Sequence, residues 1–73
     1  MKHTGYKAMQ TPKPVRKLGV MSADPRYTEV WEESDGIARM YDRGRFGRSF
    51  GKASEFIQQV KDGKWRVTLE AGV

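Results

Sequence analysis

The sequence contains no cysteine, which removes disulfides, thiolate nucleophiles and cysteine-based zinc or iron–sulfur sites together. A small fold without these staples suits a reducing cytoplasm and must be held by packing alone. The only histidine, His3, lies near the start of the chain, so no Ser/His/Asp or Cys/His arrangement can be assembled and hydrolytic triads are excluded. No apolar run approaches the length of a membrane span, and residues 1–10 lack the apolar stretch of a secretory signal. Neither a GxxxxGK[ST] phosphate loop nor a GxGxxG between a strand and a helix is present. Hydrophobic residues reach only 37%, with a mean hydropathy of -0.78. In 73 residues this allows one small core and suggests that part of the chain stays outside it.

Charge is what the sequence does have. The net charge is +5, and its excess falls in residues 1–26, where Lys2, Lys7, Lys13, Arg16, Lys17 and Arg26 face only Asp24. From residue 27 onward acids and bases balance, but unevenly: acids gather at 29–35 and bases at 39–52. A surface polarised in this way can meet two kinds of partner.

Residues 1–26 also hold Gly5, Pro12, Pro14, Gly19 and Pro25 with no sustained periodicity, and they read as a basic, disordered arm. The apolar residues Val15, Leu18, Val20 and Met21 are read as incidental to a linker. Met21 itself opens a plausible start, and a chain beginning there would lose most of the basic excess. The domain is placed at 27–73.

Within it, Tyr27, Thr28, Val30 and Trp31 supply strand chemistry over 27–33. The Asp35-Gly36 pair supplies a hairpin turn tolerant of positive φ. A second strand is expected at 37–43, with Ala38 and Met40 facing the core beside Val30 and with Arg39, Tyr41 and Arg43 accessible. Gly44 marks the next turn, and 45–50 forms a short third strand in which Phe46, Arg48 and Phe50 point the same way. Ala53, Phe56, Ile57 and Val60 fall at i, i+3, i+4 and i+7, the stripe of an amphipathic helix over 52–62, which Gly63 stops. Trp65, Val67 and Leu69 alternate with polar residues in a final strand ending near Glu70. The fold class is therefore α+β: a small antiparallel-rich sheet in the order strand, strand, short strand, helix, strand, with one helix packed on one face. The expected core includes Trp31 and Phe46.

Carboxylates are available at Glu29, Glu32, Glu33 and Asp35, but they adjoin arginines and read as ion-paired groups, so no catalytic, metal or cofactor residue is assigned. The constellation that carries chemistry is the mixture of bases and aromatics at Arg39, Tyr41, Arg43, Arg45, Arg48 and Lys52, interleaved with Phe46 and Phe50. Guanidinium groups contact phosphates or base edges, exposed rings stack on unpaired bases, and glycines let the backbone approach. Those six residues are the candidate nucleic-acid contacts, for DNA or RNA. The competing explanation is that the phenylalanines are core and the arginines offset the acids of the neighbouring strand.

Arg43, Gly44 and Phe50 match the RNP1 octamer of RNA-recognition motifs, whereas Arg45, Phe46, Gly47 and Arg48 depart from it and the preceding strand and helix are missing. The element order is similar to that of the arm-binding domains of some integrases, an analogy that carries over no residues. Two functional expectations follow: a small non-catalytic nucleic-acid-binding protein, or an accessory or inhibitor protein of phage or plasmid type that binds a larger host protein through its polarised sheet. Either could act as a monomer or a homodimer.

Overall fold

The computed structural model describes residues 11–21 and 28–73. Five strands and one helix follow in the order β1 (Pro14–Met21), β2 (Thr28–Glu33), β3 (Ile37–Asp42), β4 (Arg45–Lys52), α1 (Ala53–Lys61) and β5 (Thr68–Leu69). The strands form a single antiparallel sheet in the spatial order β4-β3-β2-β1-β5, with the helix packed on one face. This is the α+β architecture expected from the sequence, with one additional strand.

That strand is β1, and it corrects the reading of residues 14–21 as part of an arm. It lies between β2 and β5, and its Leu18 is 0% exposed. Its pairing with β2 is irregular between Pro14 and Arg16 and again between Lys17 and Gly19, and each bulge shifts the side-chain alternation by one. Arg16 and Lys17, which look out of place in a strand, both reach acids of β2, Arg16 directly across from Glu32 and Lys17, which lies across from Trp31, diagonally to Glu29. Arg16 meets Glu32 at 3.0 Å and Lys17 meets Glu29 at 3.6 Å. Gly19 is needed because β5 approaches closely: a Cβ there would sit 2.4 Å from the Thr68 carbonyl oxygen. Of the rest of the expected arm, residues 1–10 and 22–26 lie outside the described residues, as does Tyr27 at the expected start of the next strand.

The β2–β3 hairpin turns at Ser34-Asp35-Gly36. Only Gly36 has positive φ (82°), and its N–H closes the turn on the Glu33 carbonyl at 2.8 Å. The same glycine's carbonyl accepts the Ala53 N–H at 2.9 Å, tying the first turn of the helix to this hairpin. The helix ends as its sequence requires. Gly63 has φ 86°, its N–H bonds to the Val60 carbonyl at 3.0 Å, and the Lys64 N–H reaches the Gln59 carbonyl at 2.9 Å, a Schellman closure.

The core is one layer between sheet and helix. Leu18, Val30 and Ala38 from the sheet and Ala53 and Phe56 from the helix are buried, and Met21, Met40, Phe50, Ile57, Val60, Trp65, Val67 and Val73 pack around them. Two expected core residues are elsewhere. Trp31 alternates with Val30 and so lies on the other face of β2, half-buried. Phe46 is 60% exposed. The final strand is also shorter than expected, with only Thr68 and Leu69 paired, to Val20 and Gly19 of β1.

Candidate nucleic-acid interface

The β3–β4 hairpin and the β4 edge hold most of the candidate residues. β4 ends the sheet, so one side of its backbone has no partner strand among the described residues. From Arg43 to Ser54 the chain carries Arg43, Arg45, Arg48 and Lys52 and no acid. Basic side chains on an edge discourage pairing with other sheets, and they also present a line of cations to solvent.

The hairpin turn itself is Arg43-Gly44, with φ 55° and 84° and with Asp42 paired to Arg45 across it. Two positive φ angles in a two-residue loop define the type I′ turn, whose twist matches that of the flanking strands. Glycine takes this conformation freely, whereas arginine does so at a cost. The strained position puts the Arg43 side chain at the tip.

Beyond the turn the register breaks. Tyr41 pairs with Phe46 and Met40 with Arg48, leaving Gly47 as the extra residue of a bulge. A Cβ on Gly47 would meet the Met40 Cε at 2.4 Å. The bulge corrects the expectation that Phe46, Arg48 and Phe50 share a direction. Phe46 goes to the open face of the sheet, where its ring meets Tyr41 edge-on at 6.0 Å and 70°. Arg48 goes to the helix side, its guanidinium 5.0 Å from the Phe50 ring centroid and 4.9 Å from that of Trp65. Such contacts contribute about 0.5–1 kcal/mol at exposed sites and hold the cation over the aromatic pair.

Arg39 and Tyr41 are on the open face, as expected, but they are committed there. Arg39 donates to Glu33 at 2.8 Å and to both carboxylate oxygens of Asp35 at 3.0 and 2.8 Å. The Tyr41 hydroxyl donates to the other oxygen of Glu33, which is 3% exposed. The hydrogen bond from Arg39 holds the Asp35 carboxyl below its ordinary value, and the bond to Asp35 holds the Arg39 guanidinium above its own. The hydrogen bond to Glu33, with burial and the negative charge of that carboxylate, pushes the Tyr41 phenol up. Because the neutral phenol is favoured in the folded state, this contribution is fully present below the ordinary tyrosine value of about 10 and is lost as pH rises through the raised value. One of the three tyrosines is therefore expected to ionise late in an alkaline titration followed at 295 nm. Tyr41→Phe should remove that late component, and a variant with an unchanged titration curve would contradict the bond.

The structure thus divides the six candidates. Arg43, Arg45 and Lys52 line the tip and edge, and none of them has an ion-pair partner among the described residues. Arg48 lies against rings on the helix side, and Arg39 and Tyr41 belong to a carboxylate network. The sequence reading did not anticipate Trp31, Glu29 and Glu33 as one surface, although strict alternation along β2 places them on one face. The Trp31 indole N–H donates to Glu29 at 2.9 Å. Among the described residues no group of three or more acids or histidines could hold a metal ion, and no helix is long and apolar enough to cross a membrane.

No protein-family model, curated protein or solved structure matches the chain.

Proposed function

We propose that this chain is a small, non-catalytic nucleic-acid-binding protein whose contact surface is the β3–β4 hairpin tip and the β4 edge. The observation that carries this reading is that residues 43–54, which span the hairpin tip and the exposed edge strand, hold four bases and no acid, with the exposed ring of Phe46 among them. Arg43, Arg45 and Lys52 contact phosphates, since guanidinium and ammonium groups without carboxylate partners lose least on meeting a polyanion. Phe46 offers a π-face to an unpaired base. Arg48 adds charge next to the line, while Arg39 and Tyr41 support the hairpin from the open face and do not touch the ligand. The basic residues that precede β1 add nonspecific attraction, and the cysteine-free composition suits action in the cytoplasm.

The test is fluorescence anisotropy of labelled single- and double-stranded DNA and RNA with the full chain across a salt series. Binding should weaken linearly on a log–log plot, with a slope of about -0.7 per single-strand phosphate contact or -0.9 per duplex contact. Arg45→Ala with Lys52→Ala should lower affinity and flatten the slope by roughly the two lost contacts, with an unchanged circular dichroism spectrum. An absence of binding at low salt, or a double variant that binds like the parent chain, would sink the reading.

A further inference from the structure

The face of the sheet away from the helix carries a groove of about 390 Å³ lined by Pro12, Pro14, Glu29, Trp31, Glu33 and Tyr41, and closed at one end by Gly44 of the hairpin turn. Its charges are already balanced. Glu29 is ion-paired with Lys17 at 3.6 Å, and Glu33 with Arg39 at 2.8 Å. Its polar ring atoms are also spent, because the Trp31 indole N–H donates to Glu29 at 2.9 Å and the Tyr41 hydroxyl donates to Glu33. What the groove offers an occupant is therefore apolar: the half-buried Trp31 ring and two proline rings. Its closed end is basic. Gly44 shares the turn with Arg43 and is followed by Arg45, and neither arginine has an ion-pair partner among the described residues. Beside the groove, Tyr41 fixes the exposed Phe46 ring edge-on at 6.0 Å. Ring surface is thus offered on β2 and again on β4, two strand spacings or roughly 10 Å apart.

A neutral, flat group tethered to anions matches this arrangement, and an unpaired nucleotide is such a group. We propose that the groove takes one base of a single-stranded nucleic acid, stacked on Trp31, while the adjoining phosphates lie on Arg43 and Arg45. The volume is within the range of small-molecule sites. The proposal rests on the nucleic-acid reading and narrows it to single strands. In a duplex each base is stacked between its neighbours, so a duplex can use the basic tip and edge but not the groove. A single strand crossing from β2 to β4 gains stacking on Trp31 and again on Phe46, and this gain tolerates any sequence because every base has a π-face. Lys17 and Arg39 keep the two carboxylates from setting up a negative field against the phosphates at the mouth. Tyr41 remains a supporting residue, since its hydroxyl is committed to Glu33.

The experiment uses the isotope-labelled full chain and follows the indole N–H signals of its two tryptophans alongside fluorescence anisotropy. The probes are a single-stranded oligonucleotide, a duplex of the same length, an abasic strand with the same backbone and a proline-rich peptide. The single strand should bind more tightly than the duplex and shift the Trp31 signal to saturation. The duplex and the abasic strand should bind and leave that signal in place. Trp31→Ala should weaken single-strand binding about tenfold and leave duplex binding unchanged, while Trp31→Phe, which returns a ring without the N–H, should restore most of the loss. A Trp31 signal unmoved by a single strand that binds, or equal losses for single strand and duplex in Trp31→Ala, overturns the proposal and leaves the broader reading standing. Failure of every oligonucleotide to bind at low salt overturns both. A shift produced by the proline-rich peptide and not by the single strand also overturns the proposal, by making a protein segment the occupant.

Discussion

Replacing Phe56 with alanine is expected to leave the chain largely unfolded at 25 °C. Phe56 is 0% exposed and is the largest fully buried side chain among the described residues. It projects from the helix into the layer formed by Leu18, Val30, Ala38 and Ala53, and its ring lies 4.5 Å from that of Phe50. Truncating a buried phenylalanine costs about 3–5 kcal/mol, because the lost transfer free energy is joined by the cavity left behind. A domain of this size with no disulfide or metal has a total stability of about 3–5 kcal/mol, so the two quantities are comparable. Urea unfolding followed by circular dichroism measures the effect. Phe46→Ala is the matched control: its ring is 60% exposed, and its loss should change stability by less than about 0.5 kcal/mol. Equal losses in the two variants would mean that the helix is not seated as described.

The contrast between these two phenylalanines shows where the sequence can be read and where it cannot. The helix was legible because Ala53, Phe56, Ile57 and Val60 repeat at helical spacing and Gly63 closes it, and neither feature depends on anything outside the segment. β2 and β3 were legible for the same reason, with Val30 and Ala38 on the helix side and Met40 packed against them. The bulge at Gly47 reverses the alternation and turns Phe46 to the open face, and a glycine in a strand pattern does not announce on which side of it the register slips. For Trp31, composition and position point in opposite directions. A tryptophan invites burial, yet its odd position beside Val30 puts it on the open face, where Glu29 gives its N–H an acceptor.

The six candidate contacts were separated by the same physics. Arg43, Arg45 and Lys52 follow each other along an edge that only the strand order reveals. Arg39 and Arg48 are as basic as these three, but one is taken by Glu33 and Asp35 and the other lies over Phe50 and Trp65. A charge map drawn from sequence counts all five alike. Partners on other elements, such as Glu33 for Arg39 and Trp65 for Arg48, help to decide which cations remain available.

A chain beginning at Met21 is expected to lose its fold altogether. Removing residues 1–20 deletes nearly all of β1, which lies inside the sheet between β2 and β5. Leu18 goes with it, and burying one leucine contributes about 1.5–3 kcal/mol. β5 then has no strand to pair with, since its partners are Gly19 and Val20 and its following residue, Glu70, donates its N–H to the Leu18 carbonyl at 2.8 Å. Each ladder bond contributes about 0.5–1.5 kcal/mol net, so loss of the pairing on both sides of β1 exceeds what so small a domain can spare. The ion pairs of Arg16 and Lys17 matter less, at about 0–1 kcal/mol each for exposed pairs. A chain beginning at Thr11 keeps β1 and its pairing with β2 and β5. Circular dichroism and the dispersion of amide signals distinguish the two truncations directly. A Met21 chain that stays folded would show that β1 is a dispensable addition to the sheet. The expected outcome means that the basic residues before β1 must be separated from the β4 edge using the Thr11 chain, since nucleic-acid binding by an unfolded Met21 chain would report on neither.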